Sequence, residues 1–422
     1  MHRTHSGDDT DATSPIFRPL TLPNGSTLPN RIAKAAMEEN MAAPGQLPGD
    51  ELRTLYRTWG HGGAGLLITG NVMVHDAAMT GPAGVVLDER SPLEPYRRWA
   101  ADAKSGGAAV WMQINHPGRQ VEAGMPGVAW APSAQRIDIG RNSGRFAEPT
   151  AMTEAQIRET IARFATTARL AQESGFDGVE VHAAHGYLLS QFLSPLSNRR
   201  TDEWGGSLDN RARLLLDVVR AVRAEVAPEF AVAVKLNSAD FQRGGFDSDD
   251  ARRVIAMLEP LGVDLVELSG GSYESPAMTG QSGDERTRSR EAYFLELATE
   301  LAETSPLPLM LTGGITRRDV AERALAEGVD VVGIGSALAV DPDLPDTWRH
   351  DPDAEVELTP VSMKDKAVAS ALSMARIRHQ LRRVGASKPT RPSIHPLLAY
   401  TGEALRQRRA LRRYRRWLAA RR

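Results

Sequence analysis

The amino-acid sequence predicts an α/β protein of the (β/α)8 TIM barrel class, with an N-terminal hairpin and a C-terminal helical extension. Three observations lead there. Eight short apolar runs alternate with amphipathic helical stretches, and eight is the number of parallel strands that closes such a barrel. The runs are apolar throughout, as expected of strands covered on both faces. The competing fold is a doubly wound open sheet. Its G-x-G-x-x-G fingerprint is missing from the first strand–helix turn, and paired glycines fall after the seventh and eighth runs instead.

Residues 1–14 (MHRTHSGDDTDATS) are polar and lack an apolar h-region, so they are expected to be a disordered N-terminus and not a secretory signal. Residues 15–30 place a Pro-Asn-Gly turn between short runs and read as a hairpin under the barrel floor. The eight runs are RIAKAAM (31–37), AGLLITGN (64–71), AAVWMQIN (108–115), GVEVHAAH (178–185), AVAVKLNS (231–238), VDLVELSG (263–270), LPLMLTGG (307–314) and VDVVGIGS (329–336). The clearest helix follows Thr153, a suitable N-cap, and stops at Gly175. Residues 210–226, 250–262, 290–303 and 316–328 repeat its apolar periodicity. The 115–149 loop is long for a strand–helix connection and is expected to act as a lid or subunit contact. The barrel is expected to span 15–360, and 361–422 to form a helical extension with a basic tail.

Composition narrows the function. The chain has 422 residues, 25% charged and 41% hydrophobic, an ordinary globular composition for one large domain with extensions or for two domains. It has no cysteine. That excludes disulfides, thiolate metal sites, cysteine-ligated iron–sulfur clusters and a cysteine nucleophile. No uncharged apolar run reaches the ~18 residues of a membrane span, so a cytoplasmic location is expected. The total charge is −2, yet Arg406 to Arg422 holds nine arginines and no acid, which leaves −11 on the rest. Leu411, Tyr414, Trp417 and Leu418 recur in this tail at helical spacing. The favoured reading is a helix whose apolar stripe packs down and whose arginines are solvated or meet an acidic partner subunit. Binding to nucleic acid or an anionic surface is the less favoured reading.

Barrels of this kind build their chemistry at the C-terminal ends of the strands. Those ends carry Ala35, Ala36, Met37 and Glu38; Gly70 and Asn71; Gln113, Asn115 and His116; His182, His185 and Tyr187; Lys235 and Asn237; Ser269; Gly313 and Gly314; Gly335 and Ser336. The last two glycine turns suit a phosphate, because backbone N–H groups can approach an anion closely there. Gln113 offers an amide and a carbonyl together, matching an imide edge such as that of a flavin. Lys235 is a cation inside an apolar strand. It reads as a Schiff-base lysine, as a charge beside a ligand that becomes anionic, or as a structural salt bridge. His182 and His185 have no H-E-x-x-H pattern and no evident third metal ligand, so a pair of donors to one substrate oxygen fits better. The Tyr187 phenol is placed to deliver a proton.

At these residues the chain resembles the old yellow enzyme family of FMN-dependent ene-reductases, from about Pro19 to about Pro342. The strongest piece is HAAHGYLLSQFLSPLSNRRTDEWGGSLDNRARL (182–214). LPNRIAKAAM, GGAGLLITGN, MQINHPGR, VKLNSADF, LTGG and GIGSA match in order and spacing. The resemblance implies an FMN-binding barrel reduced by NADPH or NADH. Ala35, Ala36, Met37, Gly70 and Asn71 would contact the flavin, and Gln113 its pyrimidine edge. Lys235, where the family commonly has arginine, would stand beside N1 and O2. Gly313, Gly314, Gly335 and Ser336 would hold the phosphate. His182 and His185 would bind the carbonyl or nitro oxygen of an activated alkene, with Tyr187 as proton donor. A homo-oligomer is also implied.

Three positions depart from the pattern. Glu38 stands where many relatives have cysteine or threonine, and as a carboxylate opposing added electron density, or one protonated by desolvation, it predicts an unusual flavin potential. Asn40 replaces a substrate-contacting tyrosine of some relatives, and Ser336 a common arginine at the phosphate. Competing readings are an FMN-dependent NAD(P)H oxidase or demethylase-like relative without an alkene substrate, a flavin-free lyase using Lys235, and a non-catalytic scaffold.

Overall fold

The computed structural model describes residues 14–271, 274, 295–359, 361, 363 and 366–422. The expected disordered terminus falls, from residue 1 to 13, outside the described residues, as do residues 290–294 of the fourth expected helix; 295–302 are helical.

Eight strands form the wall: β1 (Ile32–Lys34), β2 (Leu66–Ile68), β3 (Ala109–Asn115), β4 (Gly178–Ala183), β5 (Ala231–Asn237), β6 (Leu265–Ser269), β7 (Leu309–Thr312) and β8 (Val331–Ile334). Each lies inside one of the eight apolar runs. They pair in parallel in chain order, and β8 returns to β1 through Val332↔Ile32, Gly333↔Ala33 and Ile334↔Lys34, so the sheet is a closed barrel.

Strand periodicity sends alternate residues inward. Ala33, Leu66, Trp111, Ala231, Ala233, Leu265, Met310 and Val331 fill the lower interior together with Leu20, Leu22 and Leu28. Those leucines belong to the hairpin pairing Leu20–Thr21 with Thr27–Leu28, which plugs the floor as expected. Space inside is tight: a Cβ on Gly333 would lie 2.0 Å from Thr312 Oγ1 and 2.5 Å from Met310 Cε.

The outer layer contains α1 (Asp50–His61), α2 (Glu94–Lys104), α3 (Glu154–Glu173), α4 (Leu188–Leu193), α5 (Leu208–Glu225), α6 (Ser248–Leu258), α7 (Arg318–Ala326), α8 (Ser336–Val340) and α9 (Leu344–His350). The start of α3 was legible because Thr153 and Gln156 form a reciprocal capping box. Its stop is Gly175, at φ +85°. The long 115–149 loop is partly structured: Trp130–Ala131 pairs with Thr150–Ala151.

Two further helices follow, α10 (Lys366–Gly385) and α11 (Pro396–Ala419). A Cβ on Gly385 would lie 2.6 Å from the Glu51 carbonyl oxygen, so α10 sits close against α1. The basic tail is the second half of α11, which starts ten residues before the first arginine of the run because Pro396 at its first turn and the His395 cap set the start. Tyr414 and Leu418 are buried against Met73, Met79 and Val86, with Trp417 partly buried beside them, as the apolar stripe predicted. Fully buried side chains of this size contribute about 1.5–3 kcal/mol each. Among the described residues no helix is long and apolar enough to cross a membrane.

Candidate active site

The upper interior changes character within one strand period. Where β5 places Ala231 and Ala233 lower down, it next places Lys235; β6 follows Leu265 with Glu267; β3 follows Trp111 with Gln113; β4 presents Glu180 and then His182. All five polar side chains are buried. Lys235 and Glu267 are register partners and form an ion pair, Nζ to Oε1 2.5 Å. Gln113 Nε2 donates to Glu180 Oε2 at 2.6 Å. Burial, followed by the neighbouring Glu267 charge, raises the Glu180 carboxyl well above its ordinary range. Burial acts on Glu267 in the same direction, but the Lys235 ammonium and the Glu180 carboxyl more than offset it, and Glu267 ends below the ordinary value. The physical sense is charge balance. One ammonium and two carboxyls share this space, and a proton held on Glu180 makes the set neutral.

These contacts refine the sequence-based reading of Lys235. It is not an isolated cation awaiting a ligand, since Glu267 already pairs with it. Glu180 and Glu267 were missed, although a charged residue in the middle of GVEV and of LVELS was the available signal. A second buried cluster was also missed, outside the barrel wall under α1. Lys34 Nζ donates to Tyr56 Oη (3.1 Å) and to the Ile68 carbonyl oxygen (2.7 Å), and Tyr56 donates to Glu39. Tyr56 Oη and Glu39 Oε1 both accept from Gly70 N–H, at 2.8 and 3.1 Å. Gly70 therefore spends its N–H in the core, and Ala35 N–H is spent on the Ile334 carbonyl (2.9 Å). Their expected backbone contacts to a ligand are restricted to their carbonyls and to Ala36, Met37 and Asn71.

The expected histidine–tyrosine triplet is assembled. The His182 ring lies edge-on to His185 at 5.1 Å and to Tyr187 at 4.8 Å between centroids. His185 has φ +60°, a left-handed conformation that costs a non-glycine residue about 1–3 kcal/mol. Its surroundings hold it there: its N–H donates to Asn237 Oδ1 (3.0 Å), and its carbonyl accepts from Gln120 Nε2 (2.9 Å). Its Nε2 lies 2.7 Å from Ser269 Oγ. His116 is not part of this group. It is buried, stacked on Trp130 and edge-on to His75.

Burial holds both site imidazoles neutral. It pushes His185 down to about 3, with Lys235 adding to the effect, and it pushes His182 well below its usual value, with His185 and Lys235 adding. The folded state thus binds fewer protons than the unfolded chain, whose histidines titrate near ~6.5. The stability that comes from keeping them neutral is full above that pH and is lost as pH falls through it toward the folded value. A phenol whose own pKa lies below 5, and which is therefore a phenolate throughout pH 5–8, is expected to bind with flat affinity across that range. His182→Ala or His185→Ala should weaken it about 10- to 100-fold, the loss of one hydrogen bond to a charged oxygen. Unchanged absorbance titrations with both variants would remove the pair from the binding site.

Glu38 has side-chain partners of its own. Its carboxylate is engaged by Arg378 of α10 at 2.5 Å and by the Thr80 hydroxyl, and is neither left to act on a ligand alone nor buried without a partner. Arg382, next along α10, donates to the Asn40 carbonyl at 2.8 Å. Asn40 itself has φ +52°. The segment after β1 is therefore tied down by the C-terminal extension.

Gly313 (φ +144°) and Gly314 (φ +66°) are exposed after β7, and Gly335 and Ser336 lead into α8. A Cβ on Gly313 would meet nothing within 4 Å, and one on Gly335 only Met37 Cγ at 3.9 Å. Open backbone at two adjacent strand ends suits a phosphate. Gln113 retains its carbonyl oxygen and a second N–H for an imide. The residues present fit FMN.

Residues 15–354 match the NADH:flavin oxidoreductase / NADH oxidase family. An NADH-dependent flavin oxidoreductase of Hypocrea jecorina (strain QM6a) is 39% identical over 352 residues, covering 78% of this chain and 87% of its own. A 2-naphthoyl-CoA reductase in complex with 2-naphthoyl-CoA superposes with a TM-score of 0.71 at 28% identity, over 79% of this chain and 52% of that one. Morphinone reductase in complex with tetrahydroNAD gives 0.66 at 25% identity, over 81% and 92%. The chain belongs to the NADH:flavin oxidoreductase / NADH oxidase family, as an old yellow enzyme-like oxidoreductase that uses FMN and a nicotinamide cofactor.

Proposed function

We propose that the protein is an ene-reductase acting on α,β-unsaturated carbonyl compounds or nitroalkenes. The observation that carries this reading is the convergence of His182, His185 and Tyr187 at the end of β4, beside the buried Lys235. Bound FMN, once reduced by NADH or NADPH, supplies the hydride that reaches the alkene β-carbon. Ala35, Ala36, Met37, Asn71, Gln113 and Lys235 would hold its ring system, with Gly70 contributing only its carbonyl; Gly313, Gly314, Gly335 and Ser336 would hold its phosphate.

The chain's own residues supply the remainder. His182 and His185, both neutral, can each present an N–H to the substrate's carbonyl or nitro oxygen, and charge building on that oxygen is stabilised by donors already in place. Their neutrality matters, because each ring can keep one donor without the cost of a buried imidazolium. The Tyr187 hydroxyl gives its proton to the α-carbon. The Lys235–Glu267 pair and the proton on Glu180 keep the pocket floor electrically balanced before any ligand arrives.

The test is an anaerobic visible spectrum, recorded before and after NADH or NADPH and again after cyclohexenone. Flavin bands that bleach with the nicotinamide and return with the enone support the proposal. Bands that bleach and return only with oxygen transfer the function to an oxidase or demethylase-like relative.

A further inference from the structure

The two imidazoles of the site do not take their tautomers from the same source. A neutral imidazole carries one N–H and one lone pair, and the nitrogen that accepts a hydrogen bond leaves the proton on the other. His182 is settled by its own chain. Ala184 N–H donates to its Nδ1 (3.2 Å), so the proton sits on Nε2. The same bond, from the backbone N–H two residues on, reaches Nδ1 of His75, His116 and His395.

His185 is the exception. Its left-handed backbone (φ +60°) lies in a turn where Tyr187 N–H is spent on the Ala184 carbonyl (3.2 Å). Its own chain therefore gives its Nδ1 no donor. The hydrogen bond to this ring comes from Ser269, 84 residues later, whose Oγ lies 2.7 Å from His185 Nε2. Ser269 closes β6, is buried, and faces Asn237 of β5 in register. Ser238 fixes the Ser269 carbonyl with its N–H (2.6 Å) and its hydroxyl (3.0 Å). Asn237 in turn accepts the His185 N–H (3.0 Å). One pair of neighbouring strand ends thus holds both the backbone and the ring of His185.

The distance alone permits either direction for the Ser269 bond, and the count of donors and acceptors decides between them. The hydroxyl has one proton, and among the described residues His185 Nε2 is the acceptor within its reach. With the proton on Nε2, that hydroxyl hydrogen would be left unpaired in a buried site, which is costly, and His185 would turn a lone pair toward any ligand oxygen. With Ser269 as donor both groups are satisfied, and the imidazole proton lies on Nδ1. His182 Nε2 and His185 Nδ1 have no hydrogen-bond partner among the described residues. They are then two N–H donors left over for a ligand.

We propose that Ser269 is a positioning residue that holds His185 in the Nδ1–H tautomer, opposite to that of His182, so that both rings donate to one substrate oxygen. The proposal rests on the reading of the histidine pair as the oxygen-binding group.

Ser269→Ala and Ser269→Thr test it in FMN-loaded protein isotopically labelled at the histidine nitrogens. Nitrogen–proton correlation spectra report which ring nitrogen carries the proton, with His185→Ala used only to assign the signals. Absorbance titration with 4-hydroxybenzaldehyde at one fixed pH reports affinity for a phenol. The wild type should show Nδ1–H at His185 and Nε2–H at His182. Ser269→Ala should shift or average the His185 pattern, leave that of His182 and the flavin spectrum unchanged, and raise the phenol dissociation constant about tenfold, as expected for weakening one hydrogen bond to a charged oxygen. Ser269→Thr keeps the hydroxyl and should restore both the pattern and the affinity. Nε2–H at His185 in the wild type, or an unchanged pattern in Ser269→Ala, would overturn the proposal. Equal loss of affinity in both variants without a tautomer change would make Ser269 a packing residue and overturn it too. A wild type with the expected tautomers, a shifted Ser269→Ala, and flavin bands that return only with oxygen would support this proposal while overturning the ene-reductase reading.

Discussion

Tyr187→Phe is expected to slow alkene reduction by about 10²- to 10⁴-fold, the usual contribution of a positioned proton donor. It should leave reduction of the flavin by NADH or NADPH within about twofold, because that half of the cycle needs no proton from the phenol. Stopped-flow measurement of the two half-reactions separates them. The geometry makes the variant conservative: Tyr187 caps the start of α4, its ring packs 4.8 Å from His182, and phenylalanine keeps both features. Equal slowing of both halves, or loss of FMN, would mean that the ring is a structural element and the proton comes from elsewhere.

Lys235→Met should have the largest effect on stability, about 3–5 kcal/mol near neutral pH, because it strands the Glu267 carboxylate where it was paired at 2.5 Å. The effect has a pH signature. In the wild type Glu267 sits below its ordinary value, so the pair stabilises above the unfolded carboxyl pKa and is lost as pH falls through the folded one. Without Lys235 burial is opposed only by the hydrogen bonds from Glu180 and Thr312, and the carboxyl rises. The folded variant then keeps a proton that the unfolded chain releases near pH ~4.3, so its deficit is small below that pH and grows as pH rises. Denaturant unfolding of the FMN-loaded protein at pH 4.5 and pH 8 reads this directly. The Lys235→Met/Glu267→Gln double variant should recover most of the loss. A deficit that does not vary with pH and is not recovered would point to lost packing and not to the stranded charge.

Both predictions fall on residues visible in the sequence, yet only one role was readable there. His182, His185 and Tyr187 stood out because three polar rings at a strand end have no use in strand packing, and they do converge. Lys235 stood out too, but its partner lies 32 positions away on the adjacent strand, and three readings of it stayed open. Glu180 passed as part of an apolar strand, since GVEV reads as buried whichever way the glutamate points. Glu38 was read only by its place after β1, and its ion-pair partner Arg378 comes 340 residues later. The basic tail was legible as an amphipathic helix whose apolar stripe packs down, but the surface under it, Met73, Met79 and Val86, was not.

The sequence by itself determined the local features: eight apolar runs, the helices between them, the Thr153 cap, the Gly175 stop, the glycine turns at the ends of β7 and β8, and the polar rings after β4. Each is set by periodicity, propensity or backbone freedom over fewer than about 20 residues, the range over which side chains and backbone of one segment interact directly. Only the tertiary structure decided which buried charges neutralise one another, which backbone N–H groups are already spent, and where α10 and α11 come to rest. Those outcomes depend on groups brought together by strand register and helix packing, and electrostatic energy in a low-dielectric interior depends on a few ångströms of separation that no local pattern encodes.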